Sequence, residues 1–155
     1  MGYTHYWQVA QISQHSTRLP TAVRDMGLIV KHSPVLLAGW DGTGKPKVSK
    51  KETVFNGKNP NSFETFTFPG DPGGEFCKTG RAPYDIVVTA CLAAAKDVLG
   101  DAIEVSSDGD AGDWIAGVQL AQTILQRPLE NPIAPRDRGL GSTYARQQRG
   151  IYGYR

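Results

Sequence analysis

The sequence has little cysteine, no long apolar run and no close pairing of metal-binding residues, and each absence narrows what it can be. Only Cys77 and Cys91 occur among 155 residues. No disulfide framework is expected, and a reducing cytoplasm is the expected setting. The longest apolar stretch, residues 86–95, covers ten positions including Thr89, whereas a membrane helix needs about 20. No membrane partner is expected. The opening Met1-Gly2-Tyr3-Thr4-His5-Tyr6-Trp7 is not a basic segment followed by an apolar one, so it does not read as a secretory signal. His5, His15, His32 and the two cysteines contain no C-x-x-C or H-x-x-x-H spacing, which argues against structural zinc. No metal and no other cofactor is expected.

What is present is the composition of one ordinary folded domain, 39% apolar and 21% charged. A chain of this size buries roughly two thirds of the surface its unfolded form exposes. The net charge of +2 is uneven. Residues 127–155 hold six arginines against Glu130 and Asp137, a net +4, which leaves −2 for residues 1–126. That last stretch also carries Pro128, Pro132 and Pro135, four glycines and Tyr144, Tyr152 and Tyr154, without sustained periodicity. The expected organisation is therefore a domain over 1–126 followed by an extended arm over 127–155 that docks on a second copy or on the sheet edge. Interspersed Arg, Gly and Tyr also suit nucleic acid, but a solubilising tail has the same composition, and no nucleic-acid partner is expected.

Periodicity gives the elements. Residues 4–11 read as a strand and 19–31 as a helix, with Leu19, Val23, Met26 and Val30 at helical spacing and Pro20 in its first turn. Residues 34–39 and 47–55 read as two strands of a hairpin across Asp41-Gly42-Thr43-Gly44. Phe66 and Phe68 share one face of a further strand. Residues 83–99 form the most apolar helix, with Asp85, Thr89 and Lys96 as its polar stripe, and Gly100 ends it. Ile103 and Val105 alternate with Glu104 and Ser106. Asp110 then caps a last helix that presents Trp114, Val118, Ala121 and Leu125 on one side, with Asp113 in its first turn. The order β-α-β-β-β-α-β-α, with hairpins inside it, predicts an α+β fold: a single antiparallel or mixed sheet with about three helices on one face.

Two motifs fall away on their context. Gly39-Trp40-Asp41-Gly42-Thr43-Gly44-Lys45 matches the start of a phosphate-binding loop, but Pro46 stands where a magnesium-binding hydroxyl belongs and a strand-like segment follows. Asp108, Asp110 and Asp113 lack a ligand and the glycine position of a calcium loop. A third segment is more informative. In Phe76-Cys77-Lys78-Thr79-Gly80-Arg81-Ala82-Pro83-Tyr84-Asp85, donors from Lys78, Thr79 and Arg81 gather just ahead of a helix, a place that favours anions. The competing expectation is that Thr79 caps the helix and Arg81 pairs with Glu64, Glu104 or Asp108. Cys77 beside Lys78 and Arg81 is also a candidate nucleophile, with His5 as a possible base.

The start of the chain, Phe55-Asn56-Gly57, Glu64-Thr65-Phe66, Phe76-Cys77-Lys78-Thr79 with Arg81 and Pro83-Tyr84-Asp85, and Glu104-Val105-Ser106-Ser107-Asp108-Gly109-Asp110 together resemble a family of small phage and bacterial proteins with no established activity. The resemblance spans roughly residues 1–115. It implies a bacterial or phage-infected cytoplasm. These motifs sit at strand ends and a helix start, so one pocket is expected to gather His5, Tyr6, Trp7, Lys78, Thr79, Arg81, Tyr84, Glu104, Ser106, Ser107 and Asp108. The expected function is binding of a small anionic, nucleotide-like ligand, such as a host signalling molecule that is sequestered. Lys78 and Arg81 would hold phosphate, Tyr6 or Trp7 would stack, and Asp108 or Glu104 would take a ribose or base. No catalytic residue is assigned. The alternatives are a partner-binding protein docking through its arm, and a hydrolase in the same cleft that uses Cys77 or a carboxylate-bound metal.

Overall fold

Alternation along the first strand, β1 (Thr4–Val9), separates the inside of the molecule from the outside. His5 and Trp7 are buried, while Tyr6 and Gln8 are exposed. The computed structural model describes residues 2–11 and 16–133. After β1 come α1 (Arg18–Lys31), β2 (Leu37–Ala38), β3 (Lys47–Val48), β4 (Thr53–Gly57), β5 (Phe66–Phe68), β6 (Glu75–Lys78), α2 (Asp85–Leu99), β7 (Ile103–Ser107) and α3 (Ala111–Leu125). Over the described residues the fold is α+β with three helices and antiparallel pairing, in two sheets rather than one. The first has the order β6-β1-β7; in the second, β4 pairs with each of β2, β3 and β5.

α2 is the centre of the core. Its residues from Val87 to Ala95 are buried all round, as expected of a helix with no solvated face, and it packs against α1, α3 and β7. Thr89 is part of that buried surface rather than of a polar stripe, its hydroxyl donating to the carbonyls of Asp85 and Ile86. Gly100 closes α2 with φ of 55°, a backbone state that costs glycine least. α3 opens on a capping box. The Asp110 carboxylate accepts the Asp113 N–H at 3.1 Å, and the Asp113 carboxylate accepts the Asp110 N–H at 2.9 Å. The two sheets share a core through aromatic rings, Trp7 on Phe66 and Phe66 on Phe55.

Three expectations need correction. Residues 47–55 form two strands, because the chain turns at Ser49, whose backbone N–H bonds the Glu52 carbonyl. The turn at Asp41–Gly44 does not close a hairpin: β2 and β3 each pair with β4, not with one another. β6 is an extra strand, hidden in the sequence because its large apolar residue, Phe76, faces outward and the smaller Cys77 faces in. Beyond α3, residues 126–133 stay on the domain. Arg127 bonds Asp25 and Asp97, Leu129 is buried, and the Asn131 amide donates to the Ala111 carbonyl. Tyr144, Tyr152 and Tyr154 of the expected arm lie outside the described residues. Among the described residues no helix is long and apolar enough to cross a membrane.

Candidate functional site

Strand register brings the first polar groups together. β1 is the central strand of its sheet, and His5 lies opposite Cys77 of β6 on one side and Ser107 of β7 on the other. All three therefore share the face toward the helices. β6 runs into the connection that carries Thr79 and Arg81, and that connection ends at Asp85, the first residue of α2. β7 ends at Ser107, from which Asp108 and Gly109 lead into α3.

At the centre the His5 ring is fully buried and both nitrogens are engaged, Nε2 with Asp85 Oδ1 at 2.7 Å and Nδ1 with Ser107 Oγ at 2.8 Å. The Thr79 hydroxyl donates to the same Asp85 oxygen at 2.5 Å. With Asp85 accepting twice, the ring proton belongs on Nε2 and Nδ1 is left to accept from Ser107. Ser107 Oγ also accepts the Gly109 N–H at 2.9 Å. The rings of Tyr3 and Trp114 meet the His5 ring edge-on at 5.0 and 5.1 Å. Arg81 lies flat over Tyr3, its guanidinium carbon 3.9 Å from the ring centre, and donates to Asp113 at 3.1 Å. Its side chain is 60% exposed, so it forms the outer edge of the cluster.

Two polar atoms in this cluster lack a partner among the described residues. Trp114 Nε1 is buried without a hydrogen bond, and the Tyr3 hydroxyl is buried with no well-formed one, Ser107 offering only a weak interaction. Leaving such a group unsatisfied costs about 1 to 3 kcal/mol. Burial, reinforced by the charges of Asp85 and Asp113, pushes the Tyr3 phenol up to about 12. Tyr3 therefore stays a hydrogen-bond donor at any physiological pH. It reaches the turn after Ser107 only because residue 109 is glycine, since a Cβ there would sit 2.3 Å from the hydroxyl.

The residues expected in one pocket divide between two faces of the sheet. His5, Thr79, Arg81 and Ser107 converge as described. Tyr6, Lys78, Glu104, Ser106 and Asp108 belong to the opposite, outer face, where Asp108 accepts from the Tyr6 hydroxyl at 3.1 Å and from the Thr4 N–H at 3.0 Å. Tyr6, Glu104 and Ser106 there line a shallow pocket of about 250 Å³. The Lys78 side chain runs along Gly2. Trp7 and Tyr84 are core residues: Trp7 donates to the Pro69 carbonyl and Tyr84 to the Glu64 carbonyl. Burial raises the Tyr84 phenol well above its usual range.

Other expectations change with the geometry. Arg81 does pair with a carboxylate, but with Asp113, the third residue of α3, rather than with Glu64, Glu104 or Asp108. Thr79 does not cap α2, whose cap position is Tyr84, and instead anchors the Asp85 side chain. Nor does the start of α2 offer a row of free N–H groups. Those of Asp85, Val87 and Val88 already bond the Ala82 and Tyr84 carbonyls. Cys77 stands beside His5 in register, yet its thiol is buried against Tyr84 and the Glu64 carbonyl, and burial pushes it up to about 12. A thiol held protonated is no nucleophile. Among the described residues no three His, Cys, Asp or Glu side chains are grouped to hold a metal ion.

The expected pocket does not include Tyr3, Asp85 or Asp113. Tyr3 has a local signal, since it lies two residues before His5 on the same strand face. Asp85 and Asp113 look like ordinary first-turn helix acids, and only the packing of α2 and α3 against the sheet aims them at His5 and Arg81. Comparison with family models, curated proteins and solved structures found no match to this chain.

Proposed function

We propose that the chain binds a small anionic ligand at the edge of the Tyr3–His5–Arg81–Ser107 cluster. The observation that carries this reading is the Tyr3 hydroxyl, a buried donor without a well-formed partner, on the ring that lies under the exposed guanidinium of Arg81. A bound acceptor group would satisfy the first, and a negative charge would suit the second. Asp113 already shares the Arg81 charge, and Asp85 lies nearby. That balance suits a ligand with one compact negative group better than a polyphosphate. Lys78, on the other face, adds nothing to it. A nucleotide-like ligand remains within the proposal only as one whose negative group meets Arg81 alone. Two buried free cysteines fit a reducing cytoplasmic setting.

The test is mass spectrometry of small molecules released from heat-denatured protein, followed by calorimetry with mono- and cyclic nucleotides and small carboxylates. Loss of one charge-assisted contact, worth about 1.5 to 3 kcal/mol, predicts at least tenfold weaker binding for Arg81→Ala. Arg81→Lys should restore it only in part, because the planar fork is lost. No released molecule and no binding heat across the panel, on ligand-free protein, would defeat the proposal.

A further inference from the structure

We infer that Ser107 is the nucleophile of an acyl-ester hydrolase centre in which His5 is the base and Asp85 holds the base in place. This rests on the ligand reading above, because the ester would be the ligand. Three features of the geometry carry it. A half-buried serine hydroxyl lies 2.8 Å from one imidazole nitrogen, a carboxylate lies 2.7 Å from the other, and a third group, Thr79, fixes that carboxylate at 2.5 Å. A nucleophile within reach of a base that is itself oriented by an acid is the arrangement acyl transfer needs. The two ring nitrogens are exchanged relative to the serine protease triad, but the roles are unchanged: the Asp85-bound nitrogen keeps its proton and the Ser107-bound nitrogen takes one.

The position of Ser107 fits the same role. It ends a strand and precedes a tight turn into α3, so its side chain sits on a rigid element beside a backbone that bends away. Its oxygen donates to Nδ1 and accepts one N–H, from Gly109. One lone pair remains for attack. The unsatisfied Tyr3 hydroxyl, which lies against the Gly109 turn, is the donor for the developing oxyanion.

The steps balance without any further reagent but water. Ser107 Oγ bonds to the ester carbonyl carbon as its proton passes to His5 Nδ1. The carbon–oxygen bond to the alcohol breaks, and the leaving alkoxide takes the proton from His5. Water then bonds to the acyl carbon, giving one proton to His5; the carbon–Oγ bond breaks and His5 returns that proton to Ser107 Oγ. The products are a carboxylic acid and an alcohol. The substrate class is a carboxylic ester bearing one negative group, which Arg81 faces.

The test uses the full chain with an alkyl fluorophosphonate, p-nitrophenyl acetate and mono-p-nitrophenyl succinate. The fluorophosphonate should lose fluoride and add one phosphonyl group per chain, mapped by peptide mass spectrometry to Ser107. Mapping on the unaltered protein makes this arm independent of whether a variant folds. Ser107→Ala should show no adduct and no nitrophenolate release above background. Tyr3→Phe, with its melting temperature checked, should acylate at least tenfold more slowly. The anionic succinate should react faster than the acetate, and Arg81→Ala should abolish that preference. No adduct at Ser107, or equal nitrophenolate release from Ser107→Ala, would overturn the nucleophile. Equal rates for the two esters would overturn the substrate class. Arg81-dependent ligand binding that persists without acylation would leave the binding proposal standing and reduce the Ser107–His5–Asp85 chain to a structural network.

Discussion

The ion pair between Asp25 and Arg127 offers the sharpest test of how the end of the described chain is held. Asp25 lies on the buried face of α1 among Ala22, Val23, Met26 and Ile29, its side chain 4% exposed. Arg127 reaches it at 2.8 Å and bonds the surface Asp97 at 3.0 Å. Removing one partner of a buried pair typically costs about 3 to 5 kcal/mol, because the other charge is left without compensation. Arg127 keeps about a third of its side chain in water, so the lower end, ~3 kcal/mol, is expected for Arg127→Ala. The Asp97 contact, on the surface, adds no more than about 1 kcal/mol. Urea unfolding followed by tryptophan fluorescence reads this directly, since Trp7 and Trp114 are buried. In a thermal scan the shift should be on the order of 10 °C. Asp25→Asn in the Arg127→Ala background removes the stranded charge and should recover at least half of the loss. If Arg127→Ala costs less than about 0.5 kcal/mol, the range of a dispensable surface pair, or if the double variant is no better, the reasoning fails.

Other outcomes follow from single contacts. At Gly117 a Cβ would lie 1.9 Å from Thr89 Oγ1 and 3.0 Å from the Ala90 nitrogen. Gly117→Ala should therefore destabilise by about 1 to 2 kcal/mol despite a helix-propensity gain of nearly 1. Adding Thr89→Ala should restore part of that loss in denaturant melts, and a stabilised Gly117→Ala would refute the close α2–α3 contact. Asp110→Ala should cost about 1 kcal/mol as a lost cap. The Asp110 N–H, and then Arg81, hold the Asp113 carboxyl below its usual value of 3.8. Its stabilising contribution is therefore complete above that value and is lost as pH falls below it. The difference in melting temperature between the wild type and Asp113→Asn should shrink from pH 5 toward pH 2.5; a constant difference would count against it.

Local pattern fixed much of this protein. The near-continuous apolar surface of α2, its stop at Gly100 and the Asp110 capping box are consequences of residues within a few positions of each other, and such effects survive in any tertiary context. The alternation of His5, Trp7, Ile103 and Val105 likewise set which face of each strand is buried. The α+β class was legible from short strand-like runs standing between helices, although the hairpin expected across Asp41–Gly44 does not form. Periodicity has no comparable hold on strands of two to four residues. It missed β6, where Phe76 points outward, and merged β3 with β4, because a strand that short is defined by its partner rather than by its own pattern. The candidate site shows the same division. Polar residues at strand ends and a helix start announced that something is built there, and His5, Thr79, Arg81 and Ser107 do converge. Which side of the sheet each residue takes depends on pairing register, and a shift of one residue exchanges the faces. Register placed Ser107 opposite His5 and sent Ser106, Lys78 and Tyr6 to the other side. Asp85 and Asp113 are brought to His5 and Arg81 only by the packing of two helices distant in sequence, a relation that no local pattern encodes.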